Sequence, residues 1–578
     1  MSFVRSAVHL TIGALLAAPS LVAAQAAAPV ARTFAPHELP LKYTGKPTTA
    51  AITPADLMTR LYVYADDSLM GRQVGTEYNL KATAYIEREV RRLGLRPAGE
   101  DGGYFQNIPL FTNYTDTAGS SVKVEGQTLA YGTDWFPIPR AGRTITLDGV
   151  PVVYGGATSD TASWISAAAS AGKIVLLTVP ASANPFRGVI YSANSRFGQA
   201  AAILVADLDR MPPGVLQQVE RSSSLRDDPA SGSAPSSILV GPRLVDLLFG
   251  SADGLKPGAA GKPLSGKIVL VEERAPGRNV VAILPGSDPA LRGQYVAIGA
   301  HNDHVGFNHH PVDHDSLRAY MAVARPQGAD SPVPKEVTPE QIARIRAMTD
   351  SLHRLHGARA DSIYNGADDD GSGTVSVLEI AEAFAKAPVR PKRSLLFVWH
   401  TGEEAGLYGS EYFTDHPTVP RDSIVAQLNM DMVGRGAATD ITGEKKEGGL
   451  TRGGPGYLQL VGSRRLSTEL GDIIEAVNKR SGLGLAFDYS MDANGHPQNI
   501  YCRSDHYEYA RYGIPIVFFT TGGHSDYHQV TDEPQYIDYH RMASVASLVY
   551  DAAWKVADLD HRVVVDKPKP NPKGACVQ

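Results

Sequence analysis

Apolar positions along this chain follow two rhythms, and the changes between them divide it into parts. Over 54–95 they recur at spacings near 3.6. Ala82, Tyr85, Ile86, Val90 and Leu93 share one face and Gly94 ends the run, so the segment reads as largely helical. From about 116 to 267 short β-like runs take over. Val150-Pro151-Val152-Val153-Tyr154, Lys173-Ile174-Val175-Leu176-Leu177 and Ala202-Ile203-Leu204-Val205 are separated by Gly, Ser, Ala and Pro. This stretch is poor in paired acidic and histidine residues, which marks it as a separate, non-catalytic module. From 279 onward strand and helix alternate. Strands are expected at 295–299, 395–399, 424–428 and 514–519, and helices at 374–387 and 539–556. Continuous apolar strands separated by helices imply an α/β sheet covered on both faces. Only 307–364 interrupts this order. It holds His309, His310, His314 and a helical piece at 339–355, and a structureless loop of that length is uncommon. The insertion is expected to fold over one side of the strand ends as a lid or rim.

Composition narrows the class. With 578 residues, two or three domains are expected. A net charge of −6 and a pI near 6.3 argue against a nucleic-acid partner and leave no polybasic membrane patch. Arg5, the apolar run 8–18 and small residues near 24 describe a secretory signal over 1–24, too short in its apolar part to span a bilayer. The remainder is expected to be exported, periplasmic or extracellular, without stable membrane insertion. Two cysteines, Cys502 and Cys576, exclude a zinc site built mainly from thiolates. Whether they pair depends on their separation in space. The sequence carries no reading of oligomeric state.

Candidate chemistry lies in five stretches where apolar strands meet Gly-rich loops or helix starts. They are Ala300-His301-Asn302-Asp303-His304, Asp368-Asp369-Asp370-Gly371-Ser372-Gly373, Gly402-Glu403-Glu404, Asn429-Met430-Asp431-Met432 and Asp526-Tyr527-His528. Each alone could be ordinary surface or a helix cap. Together they offer two imidazoles, a central carboxylate and flanking carboxylates, a ligand set for two divalent metals. Three consecutive aspartates repel one another without a cation. Side chains of adjacent Glu403 and Glu404 diverge, so one can ligate while the other takes a proton. On an extended strand His301 and Asp303 point the same way, so the Asp303 carboxylate can orient the imidazole. His304, His309, His310 and His314 read as solvated loop histidines rather than a third metal site.

These residues resemble the M28-type zinc metallopeptidases, the group of bacterial leucyl and aminoacyl aminopeptidases, over roughly 54–105 and 279–558. The resemblance implies a three-layer zinc-exopeptidase fold with a mixed central sheet and two zinc ions. His301 and Asp431 would bind one, Glu404 and His528 the other, with Asp369 between them. Glu403 corresponds to the general base acting on the water between the metals, and Asp303 to the carboxylate that orients His301. Tyr501 is similar to a tyrosine that steadies the tetrahedral intermediate in some members, the alternative being a packing tyrosine. A cis Asp369–Asp370 peptide is also implied. The catalytic domain would comprise 40–115 and 268–560, followed by a tail at 561–578. The part 116–267 resembles a β-rich protease-associated insert. The substrate implied is a peptide, cleaved at its N-terminal residue. A carboxypeptidase or dipeptidase on the same metal core is the rival reading. A glutaminyl-cyclase-like transferase or a non-catalytic binding protein fits less well, since no ligand or base is missing.

Overall fold

A computed structural model describes residues 39–578 except 140–141, 181–195, 212, 227–234, 252–253, 335, 437–444, 447–448 and 451–455. The signal-like segment lies outside the described residues. The core is a nine-stranded mixed sheet. Its centre runs Ser394–His400, Tyr295–His301, Ile424–Met430 and Ile516–Thr520, all mutually parallel, and antiparallel strands Arg278–Leu284 and Tyr457–Val461 flank it. Alternation along one strand gives the layers. Leu395, Phe397 and Trp399 pack with helices Pro54–Tyr64, Glu77–Arg92, Gly373–Lys386 and Tyr539–Ala557, while Leu396 and Val398 face Phe413, Tyr509 and Ala510 on the other side. The fold is the α/β, helix-covered mixed sheet that the apolar strands imply.

Three boundaries differ from the sequence reading. The helical run at 54–95 breaks between Tyr64 and Glu77, because Asp66 caps a short turn and Met70, Gly71 and Arg72 are left-handed. A Cβ on Gly71 would lie 2.0 Å from the Gly306 carbonyl, and Gly306 N–H donates to the Gly71 carbonyl at 3.0 Å. The break thus braces the loop that follows His301. Second, the inserted module starts earlier and ends later than 116–267. Leu110–Thr115 and Ala260–Arg274 pair with each other inside a separate eleven-stranded sheet, so the crossing points lie at Pro109 and Ala275-Pro276-Gly277. Third, 561–578 is anchored rather than trailing. Cys502 and Cys576 form a disulfide with Cα atoms 5.8 Å apart, and the Gln578 side chain accepts from Tyr501 N–H at 3.0 Å.

The insertion at 307–364 is a strand pair, Phe307–Asp313 with Ala360–Ile363, enclosing helices His314–Ala324 and Pro339–His356. His314 is buried rather than solvated. Its Nδ1 meets Asp315 at 3.0 Å and its Nε2 meets Glu533 at 2.9 Å. Arg359 grips both Glu533 oxygens, so this His–carboxylate group already holds its positive charge. His309 and His310 are exposed as expected. Gln217 of the inserted module joins the same edge strand, donating to the Phe307 carbonyl and accepting from His309 N–H, both at 2.8 Å. Among the described residues no helix is long and apolar enough to cross a membrane.

Candidate metal centre

Parallel strands deliver the five stretches to one edge, their carboxyl ends, where ligands gather in such sheets. His301 is the last residue of its strand, Asp431 follows Met430, and Glu403-Glu404 follow His400 by a two-residue link. The loop after Ile516–Thr520 brings His528, and the turn into Gly373–Lys386 brings Asp369.

The aspartate triplet divides its work. Asp370 Oδ2 accepts from His301 N–H at 3.1 Å, and Asp370 Oδ1 accepts from Gly373 and Met432 N–H at 2.8 and 3.2 Å. A Cβ on Gly373 would stand 2.3 Å from that oxygen, which explains the glycine. Asp368 accepts from Gly434 N–H at 2.7 Å and faces His524 at 3.2 Å. Backbone donors therefore hold both oxygens of Asp370 and one of Asp368, whose other oxygen faces His524, and only Asp369 is turned toward the other ligands. Its own N–H and that of Asp368 donate to Asp532, and the Asp369–Asp370 peptide is cis.

Asp369 presents one oxygen to each of two groups. Oδ1 lies 3.1 Å from His301 Nε2, which is 3.7 Å from Asp431 Oδ1. Oδ2 lies 3.0 Å from His528 Nε2, which is 2.9 Å from Glu404 Oε2. Ligand atoms about 2.0–2.1 Å from a tetrahedral zinc are roughly 3.3 Å apart, so both groups have the right spacing for one ion each. His301 Nε2, His528 Nε2 and Asp369 Oδ2 are buried without a hydrogen-bond partner, although acceptors surround them. Polar atoms left that way are costly, and a divalent cation in each group would satisfy them. The electrostatics agree. Burial opposes a charged His528, yet Glu404 and Asp369 drive its pKa up to about 10. Burial likewise opposes an ionised Glu404, and His528 and His304 nonetheless hold it down at about 2. The carboxylate surplus demands positive charge.

Three residues behave differently from expectation. Asp303 does not meet the His301 ring with its carboxylate, which is 3.8 Å away. His301 Nδ1 instead donates to the Asp303 backbone carbonyl at 3.1 Å, and the Asp303 carboxylate accepts from Glu403 N–H at 3.1 Å. The chain turns between His301 and Asp303, so the carbonyl reaches the ring first. Tyr501 stands apart from the pocket, packed against His506, Tyr507 and Arg465. The tyrosine at the site is Tyr527, stacked on His528 with ring centroids 4.1 Å apart. His304 is buried and not solvated, with Nδ1 2.7 Å from Glu404 Oε1. Ser504, unassigned from sequence, donates to Asp431 Oδ2 at 2.7 Å.

Glu403 is a carboxylate at this edge that belongs to neither group. It is 3.9 Å from His301 Nε2 and lines the pocket. Burial, with the Asp431 and Glu404 charges added, raises its pKa well above the ordinary value despite His301.

A helix-covered mixed sheet with such an acid–imidazole edge defines an α/β domain with two candidate metal groups at its strand ends. Residues 279–553, a little under half of the chain, match the model of peptidase family M28. The chain is 29% identical over 184 residues to leupeptin-inactivating enzyme 1 of Streptomyces exfoliatus, covering 31% of this chain and 35% of that protein. It is 28% identical over 233 residues to leucine aminopeptidase 1 of Penicillium rubens, covering 37% and 55%. The chain thus spans between about a third and a little over half the length of these curated relatives. A solved aminopeptidase from Aneurinibacillus sp. strain AM-1 aligns with a TM-score of 0.50 at 17% identity over 90% of this chain and 97% of that one, a likeness of fold.

Proposed function

We propose that this chain is an exported aminopeptidase that removes N-terminal residues from peptides with two bound zinc ions. The single observation that carries the reading is Asp369, whose two oxygens face two separate His–carboxylate groups. His301 and Asp431 would hold one ion, Glu404 and His528 the other, with Asp369 shared. Bound there, the ions would acidify a water and polarise the scissile carbonyl.

The chain's own residues supply the rest. Glu403 takes the proton of the attacking water and returns it to the leaving amine. A carboxylate with a raised pKa suits both halves of that task. The Asp303 carboxylate, through Glu403 N–H, fixes the loop that carries the base. Ser504 and His304 orient Asp431 and Glu404 by hydrogen bonds, and Tyr527 walls off one side of His528. The activity in the names of the curated relatives supports the aminopeptidase choice. The signal-like 1–24 segment and the Cys502–Cys576 disulfide, a bond of oxidising compartments, support export. The inserted sheet around 110–274 serves as a non-catalytic, protease-associated-like module.

Two measurements on the purified chain test the reading: bound metal per chain, and cleavage of leucine p-nitroanilide against its N-acetylated form. Two metals and a requirement for the free amine are expected. Equal cleavage of both forms would transfer the reading to a different peptidase class.

A further inference from the structure

The pocket beside Glu403 is lined by Met432, Met491, Ile500 and Phe518 together with Gln327, Gln459 and Gln498, and Arg503 is the guanidinium among its lining residues. It follows the turn Ile500–Cys502. Its side chain is only 26% exposed. Nη2 lies 2.9 Å from Asp330 of the 307–364 insertion and donates to the Tyr527 hydroxyl at 3.4 Å. Nε and Nη1 have no hydrogen-bond partner among the described residues. Asp330 and Tyr527 thus fix the plane of the fork from one corner and leave its other donors unused. The Tyr527 ring stacks on His528, so the tyrosine that Arg503 contacts also touches the proposed metal centre.

A planar fork with unused donors in the pocket wall matches one chemical group better than any other, a carboxylate bound through two parallel N–H bonds. We propose that Arg503 is a specificity-determining residue that binds a carboxylate of the substrate, with Asp330 holding it in position. The inference rests on the peptidase reading above. Two carboxylates lie within a few bonds of the scissile carbonyl. One is the side chain of an N-terminal Asp or Glu, the other the C-terminus of a dipeptide. Their chemistry at Arg503 is the same.

The test uses the metal-loaded full chain and kcat/KM for four substrates: leucine p-nitroanilide, glutamate p-nitroanilide, Leu-Gly and Leu-Gly amide. A charge-assisted pair in a partly buried site predicts that the glutamate-to-leucine ratio or the acid-to-amide ratio exceeds about 10. A high first ratio assigns the carboxylate to the N-terminal side chain, a high second ratio to the dipeptide C-terminus. Arg503→Met should bring that ratio toward 1, Arg503→Lys should restore part of it, and Asp330→Asn should lower it, since the fork loses the partner that holds it in place. Both ratios near 1 in the wild type, or a ratio that survives Arg503→Met, would overturn the assignment while leaving the aminopeptidase reading intact. If Arg503→Met does not fold, an unchanged ratio in Asp330→Asn overturns it instead. No turnover of any of the four by a protein with two metals bound would sink the peptidase reading and this inference with it.

Discussion

His304 Nδ1 lies 2.7 Å from Glu404 Oε1, while the other oxygen of Glu404 faces His528 at 2.9 Å. One carboxylate is thereby turned by a neighbour that the sequence reading left in solvent. Loss of such an orienting partner typically weakens metal affinity about 10–100-fold. His304→Ala should show that loss in competitive chelator titration of one ion, with the other bound as before. Equal weakening of both would mean that His304 supports the whole edge rather than Glu404.

Glu403→Gln removes the proposed proton carrier and keeps its shape. A drop in kcat of about 10²–10⁴ is expected, with metal content per chain unchanged. Near-normal turnover would move the base elsewhere.

Chelation should cost stability as well as activity. Stripped of ions, the edge leaves Asp369 Oδ2 and the Nε2 atoms of His301 and His528 buried and unpartnered, and ligands that bind only the folded state raise its stability. Treatment with EDTA should therefore lower Tm by several degrees, and added zinc should restore both Tm and turnover. An unchanged Tm would argue that hydrogen bonds alone satisfy the cluster.

The joint between the 307–364 insertion and the core should respond to pH. Burial lowers the His314 pKa, but its hydrogen bond to and charge contact with Glu533 outweigh this, leaving it above 6.5. Burial raises Glu533, yet His314 and Arg359 bring it down to about 2. Asp315 and Asp361 are the other charged groups nearby. His314 therefore contributes its full stabilisation below its ordinary pKa of 6.5, lost as pH rises through the higher folded value. Glu533 contributes fully above its ordinary 4.5, lost as pH falls through about 2. Hydrogen-exchange protection of helix His314–Ala324 should be greatest between these ordinary values and decline toward alkaline pH. His314→Gln should flatten the alkaline decline. An equally steep decline in the variant would assign it to another group.

How far the site could be read from sequence depended on which signal each residue gave. His301, Asp431 and the Glu403-Glu404 pair were visible because apolar strands end where they stand, and parallel strands ending at one edge must bring them together. Asp369 was visible within its triplet, but repulsion was an incomplete reason. Backbone N–H groups, which leave no mark in sequence, hold Asp370 and one oxygen of Asp368. The sequence reading singled out Tyr501 and passed over Tyr527, since both adjoin site motifs and only packing distinguishes a core ring from a wall ring. His304 was misplaced because a loop histidine reads as solvated unless the contact with residues 71–73 that buries the loop is known. The same contact explains the helix break at 65–76. The module boundary moved to Leu110 and Arg274 because strand pairing joins positions about 160 apart, beyond the reach of any local pattern.

The disulfide joins Cys576 to the turn that immediately precedes Arg503, whereas every proposed metal ligand is fixed by other strands and loops. Thiol reduction would therefore loosen one wall of the pocket and leave the ion-binding edge in place. The redox state of the surroundings would then act on which substrates this protein accepts before it acts on whether it can cleave them.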